Sequence, residues 1–215
     1  MKSTNLAAGR PESVGSPSRR NSLLNPKDAF EKALADHKAG LLKEAEAGYR
    51  QVLDANPDHA DALYFMGRLR MREGALAAAR DLMVQSLVLS DDHATRHNNL
   101  GTVFQGLGDL NAAVECFRRA IEVDPDLAEA HVNLGAALHE VRDLKGAERS
   151  YKQVIELHPE YFPAFNNLAH VFRDQGNPEA AEAAALKAVE LRPKEAKAYN
   201  NLGVIQHERG NTLRV

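Results

Sequence analysis

From Pro26 onwards, apolar, small and turn-forming residues return every 34 positions. Pro125, Pro159 and Pro193 stand one period apart, and Pro57 lies two periods before Pro125. Gly40, Gly74, Gly108, Gly176 and Gly210 share a second phase, with Arg142 in its missing slot. Ala45, Ala79, Ala113, Ala147 and Ala181 share a third. Self-similarity at a fixed period of this length marks a solenoid of stacked units, none of which can hide its apolar side alone. With position 1 at Pro26, Ala60, Ala94, Ala128, Phe162 and Ala196, the full repeats are 26–59, 60–93, 94–127, 128–161 and 162–195. A partial unit, 196–215, follows.

The phase within a unit predicts two helices. Positions 4, 7, 8 and 11 (His97, Leu100, Gly101 and Phe104 in the third unit) share one face at about 100° per residue. Glycine at position 8 leaves room for a neighbour, and glycine at position 15 can take the left-handed conformation that ends helix A. Helix B then opens near position 18, with alanine at 20, a ring at 24 (Tyr49, Phe117, Tyr151) and Ala120 or Ala188 at 27. Proline at 32 stops it. The fold class is therefore all-α, built from antiparallel helix pairs. Lys32 and Asp36 replace expected apolar residues in the first unit, which reads as a solvent-tolerant cap, and Asp91 replaces the proline of the second. The sixth unit is either a capping helix, with Tyr199, Leu202 and Gly203 inward and Gln206, His207, Glu208 and Arg209 outward, or the cut end of a longer chain. Its open end predicts weak self-association.

Residues 1–25 differ in kind. They are rich in Ser, Pro and Gly and carry Lys2, Arg10, Arg19 and Arg20 against Glu12, a net +3 that leaves −6 on the rest of a chain of formal charge −3. Such a segment buries too little apolar surface to offset its ordering entropy, and is expected to be a disordered tail. The near-neutral balance argues against a nucleic-acid partner, which needs a basic face. No apolar run approaches the roughly 18 residues of a membrane span, and the single cysteine, Cys116, excludes an internal disulfide framework. These features predict a cytoplasmic helical protein.

Large residues at 4, 7, 11 and 24, small ones at 8, 20 and 27, and proline at 32 together resemble the tetratricopeptide repeat family over about residues 26–215. The unit from Ala94-Thr95-Arg96-His97-Asn98-Asn99-Leu100-Gly101 to Asp124-Pro125 is the nearest to its pattern. The resemblance implies a right-handed superhelical solenoid of five full repeats plus one C-terminal helix. It also implies that positions 2, 5, 6, 9, 12 and 13 of helix A line a groove for extended peptides. Position 6 reads Asn99, Asn133, Asn167 and Asn201, and position 5 adds Asn98, Asn166 and Asn200. A carboxamide donates and accepts without net charge, so a row of them suits a peptide backbone. His139 and His170, at positions 12 and 9, join these asparagines as candidate peptide contacts.

The same ladder resembles the repeat domain of O-linked N-acetylglucosamine transferases, so a substrate-recruiting portion of such an enzyme, without its catalytic domain, is the alternative to a non-catalytic scaffold. The clamp that holds chaperone tails in this family requires cations where Asn98, Pro163 and Asn167 stand, and an asparagine where Thr102 stands. No phosphate-binding loop or HExxH motif occurs. His93 and His97 are four apart, but the first precedes its helix and the second should face inward. Neither a metal nor a cofactor is expected, and the partner is a protein or an extended peptide.

Overall fold

The computed structural model describes residues 25–212, and the side chains to residue 210. Its helices are α1 (Pro26–Lys38), α2 (Leu42–Ala55), α3 (Ala60–Arg72), α4 (Leu76–Leu89), α5 (Ala94–Gly106), α6 (Leu110–Val123), α7 (Ala128–Glu140), α8 (Leu144–Leu157), α9 (Phe162–Asp174), α10 (Pro178–Leu191) and α11 (Ala196–Thr212). The expected pairs are present, with helix A over positions 1–13 and helix B over 17–30 of each full repeat. The tail lies outside the described residues except for Asn25. That residue is ordered as the N-cap of α1, its side chain accepting from the Lys27 and Asp28 amides.

Each A–B turn is built around one left-handed residue. Gly40, Gly74, Gly108 and Gly176 have φ of 79°, 79°, 81° and 73°, and Arg142 adopts the same conformation at 68°. The turn closes when the amide of position 16 reaches back to the carbonyl of position 11, as from Asp109 to Phe104 at 3.0 Å. Asp109, Asp143 and Asn177 then cap the following helix through their side chains, each such cap being worth about 1 kcal/mol.

The core repeats with the sequence. Phe117 and Tyr151, at position 24 of their B helices, are buried among position 20 of the same helix and positions 7 and 10 of the next A helix. They also lie on the position-8 glycines: a Cβ built on Gly101 would be 2.5 Å from Phe117 Cε1, and one on Gly135 would be 2.8 Å from Tyr151. Repeat 5 makes the opposite exchange, Ala169 for the glycine and Ala185 for the ring, and both are buried. Helix A has a second buried face that the 4-7-8-11 pattern does not reveal. Ala62, Ala130, Ala164 and Ala198 at position 3, and Leu69, Val103, Ala137, Val171 and Ile205 at position 10, are buried as well, because each internal A helix sits between its own B helix and that of the preceding repeat.

The ends depart from the repeat. In α1, Asp28, Lys32 and Ala35 occupy positions 3, 7 and 10 and are exposed, and Lys32 pairs with Asp36 at 2.8 Å, in keeping with a polar cap. In α11 the expected inward face holds at Leu202, which packs against the cluster of Ala169, Ala181 and Ile205, and is corrected at Tyr199 and Gly203. Tyr199 is 51% exposed, and Gly203 has nothing within 4 Å of a built Cβ. Among the described residues no B helix follows to cover them, and Ala198, Asn201 and Ile205 are buried instead. Nor does Gly210 end this helix, which continues to Thr212.

Successive A helices touch one another (α3–α5, α5–α7, α7–α9, α9–α11), whereas B helices pack against the A helices flanking them. The A side is therefore the shorter, inner side of the curve. Positions 6, 9, 12 and 13 of helix A form its concave wall.

Candidate functional site

The asparagines occupy two different environments, and one rule of register explains both. Position 6 of each A helix faces position 5 of the A helix before it, 35 residues back. Asn99 Nδ2 donates to Tyr64 Oη at 2.6 Å, Asn133 Nδ2 to Asn98 Oδ1 at 2.9 Å and Asn201 Nδ2 to Asn166 Oδ1 at 2.6 Å. Much of the row thus cross-links neighbouring repeats. Asn98, Asn166 and Asn201 are 0%, 2% and 9% exposed, which corrects their expected place among the peptide contacts. Their carboxamides are held between helices because in water-poor contacts an unpaired amide costs about 1–3 kcal/mol. Asn98 Nδ2 is itself buried without a partner. Asn200 is exposed near the start of α11, and Asn99 and Asn133 are half-buried with their amide groups engaged.

Asn167 breaks this pattern. Its counterpart 35 residues earlier is Val132, which can accept nothing. The Asn167 carboxamide instead borders a cavity of about 530 Å³ on the concave wall, between α7 and α9, together with His139, His170, Tyr151, Glu140 and Asp174. Three of the residues expected from sequence, Asn167, His139 and His170, therefore meet in one place.

The cavity is polar and internally braced. His139 Nε2 lies 3.0 Å from Asp174 Oδ2, Arg142 donates to the same oxygen at 2.8 Å, and Arg173 approaches the other at 3.3 Å. Burial pushes the Asp174 carboxyl up, but hydrogen bonds from His139 and Arg173 and their charge outweigh it and hold the group below the usual range. His170 is displaced the other way for an imidazole: burial lowers its pKa, aided by Arg173, His139 and Lys197. This favours the neutral imidazole, which can both donate and accept. Burial pushes the Tyr151 phenol up to about 12, against the pull of the Asn167 amide beside it. Gln105, from α5, donates to Glu140 at 3.2 Å across the rim.

Glu140 and Asp174 fall at position 13 and Gln105 at position 12, so their phase already marked them. Tyr151 was harder to foresee. A ring at position 24 reads as core, and the hydroxyl that distinguishes it from Phe117 is the only sign that it reaches the groove past Gly135. Two other histidines keep to structural places. His97 and His131 are buried, their Nε2 atoms 3.0 and 2.9 Å from the carbonyls of Asp91 and Pro125. Cys116 is partly buried, and burial, with Glu115 and Asp109, pushes its thiol up to about 11. Among the described residues no group of three or more His, Cys, Asp or Glu is placed to hold a metal ion. No helix among them is long and apolar enough to cross a membrane.

Comparison with known proteins places this architecture. Residues 36–97, 128–161 and 166–213 match models described as tetratricopeptide repeat, and residues 106–141 match one described as TPR repeat. The chain belongs to the tetratricopeptide repeat family. No curated protein matches it significantly. Among solved structures it is similar to YrrB, described as a TPR protein with an unusual peptide-binding site, at 23% identity and a TM-score of 0.75, over 84% of this chain and 92% of that one. It is similar to MamA from Desulfovibrio magneticus RS-1 at 18% identity and a TM-score of 0.73, over 80% and 97%. A third similarity is to the APC/C hetero-tetramer Cut9–Hcn1, at 19% and 0.70, over 86% of this chain and 36% of that one. At these identities the likeness extends to the fold alone, a superhelical tetratricopeptide solenoid.

Proposed function

We propose that this chain is a non-catalytic protein-interaction scaffold whose concave wall holds an extended polypeptide, with the cavity around Asn167, His139 and His170 as the principal contact. The observation that carries this reading is the interrupted register at Val132. It leaves the Asn167 carboxamide without a partner on the preceding A helix, its oxygen accepting only a long bond from the adjacent Asn166 amide at 3.3 Å, and it does so where a cavity of about 530 Å³ opens. Asn99 and Asn133 add weaker contacts through their carbonyl oxygens, since their amide groups are spent on Tyr64 and Asn98. The peptide-binding site named for YrrB supports the same use of this fold.

Hydrogen bonds alone do not suffice. At roughly 1 kcal/mol net for each, three or four provide only about millimolar affinity. The imidazoles, the Tyr151 phenol and the carboxylates of the cavity rim must add side-chain recognition. Selecting a displayed random-peptide library against the protein tests the reading. Peptides recovered on the wild type should bind the Asn167→Ala, His139→Ala, His170→Ala triple variant at least about tenfold more weakly, equivalent to 1.4 kcal/mol, at unchanged helicity. Equal binding by a folded triple variant rules the cavity out.

A further inference from the structure

A second part of the concave wall, on repeats 1 and 2, has a different chemistry. Position 6 of α3 is Phe65, not asparagine. Its ring stacks on Tyr49 at 5.8 Å and 12°, and meets the edge of His37 at 5.8 Å and 72°. His37 Nδ1 is hydrogen-bonded to the buried Tyr49 hydroxyl at 3.1 Å, which fixes the imidazole in the wall. The Arg68 guanidinium rests against this aromatic surface, 5.7 Å from the Phe65 centroid and 5.9 Å from that of Tyr64. Arg72 follows one turn later on the same helix face and is exposed.

The pairing of these cations sets them apart from their neighbour. Arg70, on the other side of α3, is neutralised by Glu46 and Glu73. Among the described residues Arg68 and Arg72 have no carboxylate in ion-pair contact. Arg68 also borders a cavity of about 590 Å³ lined by Asp61, Asp92 and Asp124, none of which is in ion-pair contact with it. Asp61 is bound by Arg96, Asp92 accepts from Ser90, and Asp124 accepts from the Asp126 amide. Both arginines are close enough to His37 to lower its pKa, after the larger effect of burial, so the three groups converge. A guanidinium braced by ring faces and lacking an anion is prepared for a carboxylate or phosphate, which it can bind through two parallel N–H groups.

We infer that Arg68, seated on Phe65 and Tyr64, and Arg72, one turn further along α3, form beside His37 an anion subsite that takes an acidic or phosphorylated side chain of the polypeptide bound in the groove. The inference rests on the groove reading above and adds a direction to it: the bound segment places its anionic residue over repeats 1 and 2, and its neutral or basic part over Glu140 and Asp174.

The displayed-library selection, repeated on Arg68→Gln, Arg72→Gln and on Arg68→Lys, Arg72→Lys, decides it. Peptides from the wild type should show Asp or Glu at one fixed place. They should bind the glutamine variant about tenfold or more weakly, as expected for a lost charge-assisted contact, and the lysine variant with most of the affinity kept. Synthetic versions with phosphoserine in place of that acid separate the two anions, and tighter binding of either form supports the subsite. Binders without an acidic position, or equal affinity for the glutamine variant, overturn the anion subsite and leave the groove reading intact. A library that yields no binder refutes both.

Discussion

Two glycines at the same register position should respond to the same substitution with opposite sign. Gly101 and Gly203 both stand at position 8 of an A helix. In a helix interior, glycine to alanine gains about 0.5–1 kcal/mol, because the glycine loses more backbone freedom on folding. At Gly203 nothing lies within 4 Å of the new Cβ, so Gly203→Ala should show that gain undiminished. At Gly101 the Cβ would lie 2.5 Å from Phe117 Cε1 and 2.7 Å from Cδ1, where ordinary contact begins near 3.4 Å. The ring must retreat by about an ångström, yet it is wholly buried with Leu134 and Ala137 among its neighbours. Overpacking of this kind costs about 1–3 kcal/mol. Gly101→Ala should therefore lose up to about 2.5 kcal/mol net, and sit at least 1 kcal/mol below Gly203→Ala. Urea and thermal denaturation followed by far-ultraviolet circular dichroism would read the difference. Midpoints are the quantity to compare, since repeat arrays need not unfold in two states. The size exchange of repeat 5 supplies an internal control. Phe117→Ala alone should cost about 3–5 kcal/mol, and adding Gly101→Ala to it should recover part of that by recreating the Ala169–Ala185 pair. A rise in the Gly101→Ala midpoint equal to that of Gly203→Ala would falsify the packing account.

Arg142→Gly should stabilise the protein by about 0.5–1 kcal/mol, because it removes a side chain from the left-handed region, and its exposed contact to Asp174 is worth little; a lower melting midpoint would count against this. Asn166→Ala removes the acceptor of the buried Asn201 amide and should cost about 1–3 kcal/mol, whereas Asn200→Ala, at an exposed position, should stay within about 0.5 kcal/mol. Similar midpoints for the two would remove the structural role assigned to position 5. Stability should fall as pH drops below about 6.5, the ordinary imidazole value. The unfolded chain then binds protons that folded His37 and His170, both lowered chiefly by burial, resist until their own values are passed. Asp174, whose folded value is depressed, keeps its contribution through that range and loses it only at more acidic pH. Denaturation midpoints near pH 7.5 and near pH 5.5 should differ less in His170→Asn than in the wild type, and an equal difference would show that the buried imidazole carries none of the slope. Cys116 should react slowly with iodoacetamide in the native protein and quickly in urea, since its thiol is held at about 11; rapid native labelling would contradict the burial assigned to it.

The chain's repeat length and the place of each A–B turn follow from the sequence alone. The causes are local and recur: a glycine free to turn left-handed at position 15, a proline at 32, and a fixed alternation of ring and small residue at 24 and 8. Even the exchange of Ala169 for glycine and Ala185 for the ring is legible there, because volume must be conserved across a contact the period repeats. The fate of the asparagines was not. Positions 5 and 6 lie on the boundary between the neighbouring A helix and the open groove, and which way a carboxamide turns depends on what the preceding repeat presents 35 residues earlier. Asn98 meets Asn133, Asn166 meets Asn201, and only Val132 leaves its partner, Asn167, to the cavity. Likewise Tyr199 and Gly203 carry inward-facing positions in sequence but lie open, because a side chain is buried only by a neighbour that packs against it. Periodicity specifies the unit; the stacking of one unit on the next decides which polar groups hold the solenoid together and which are left for a ligand.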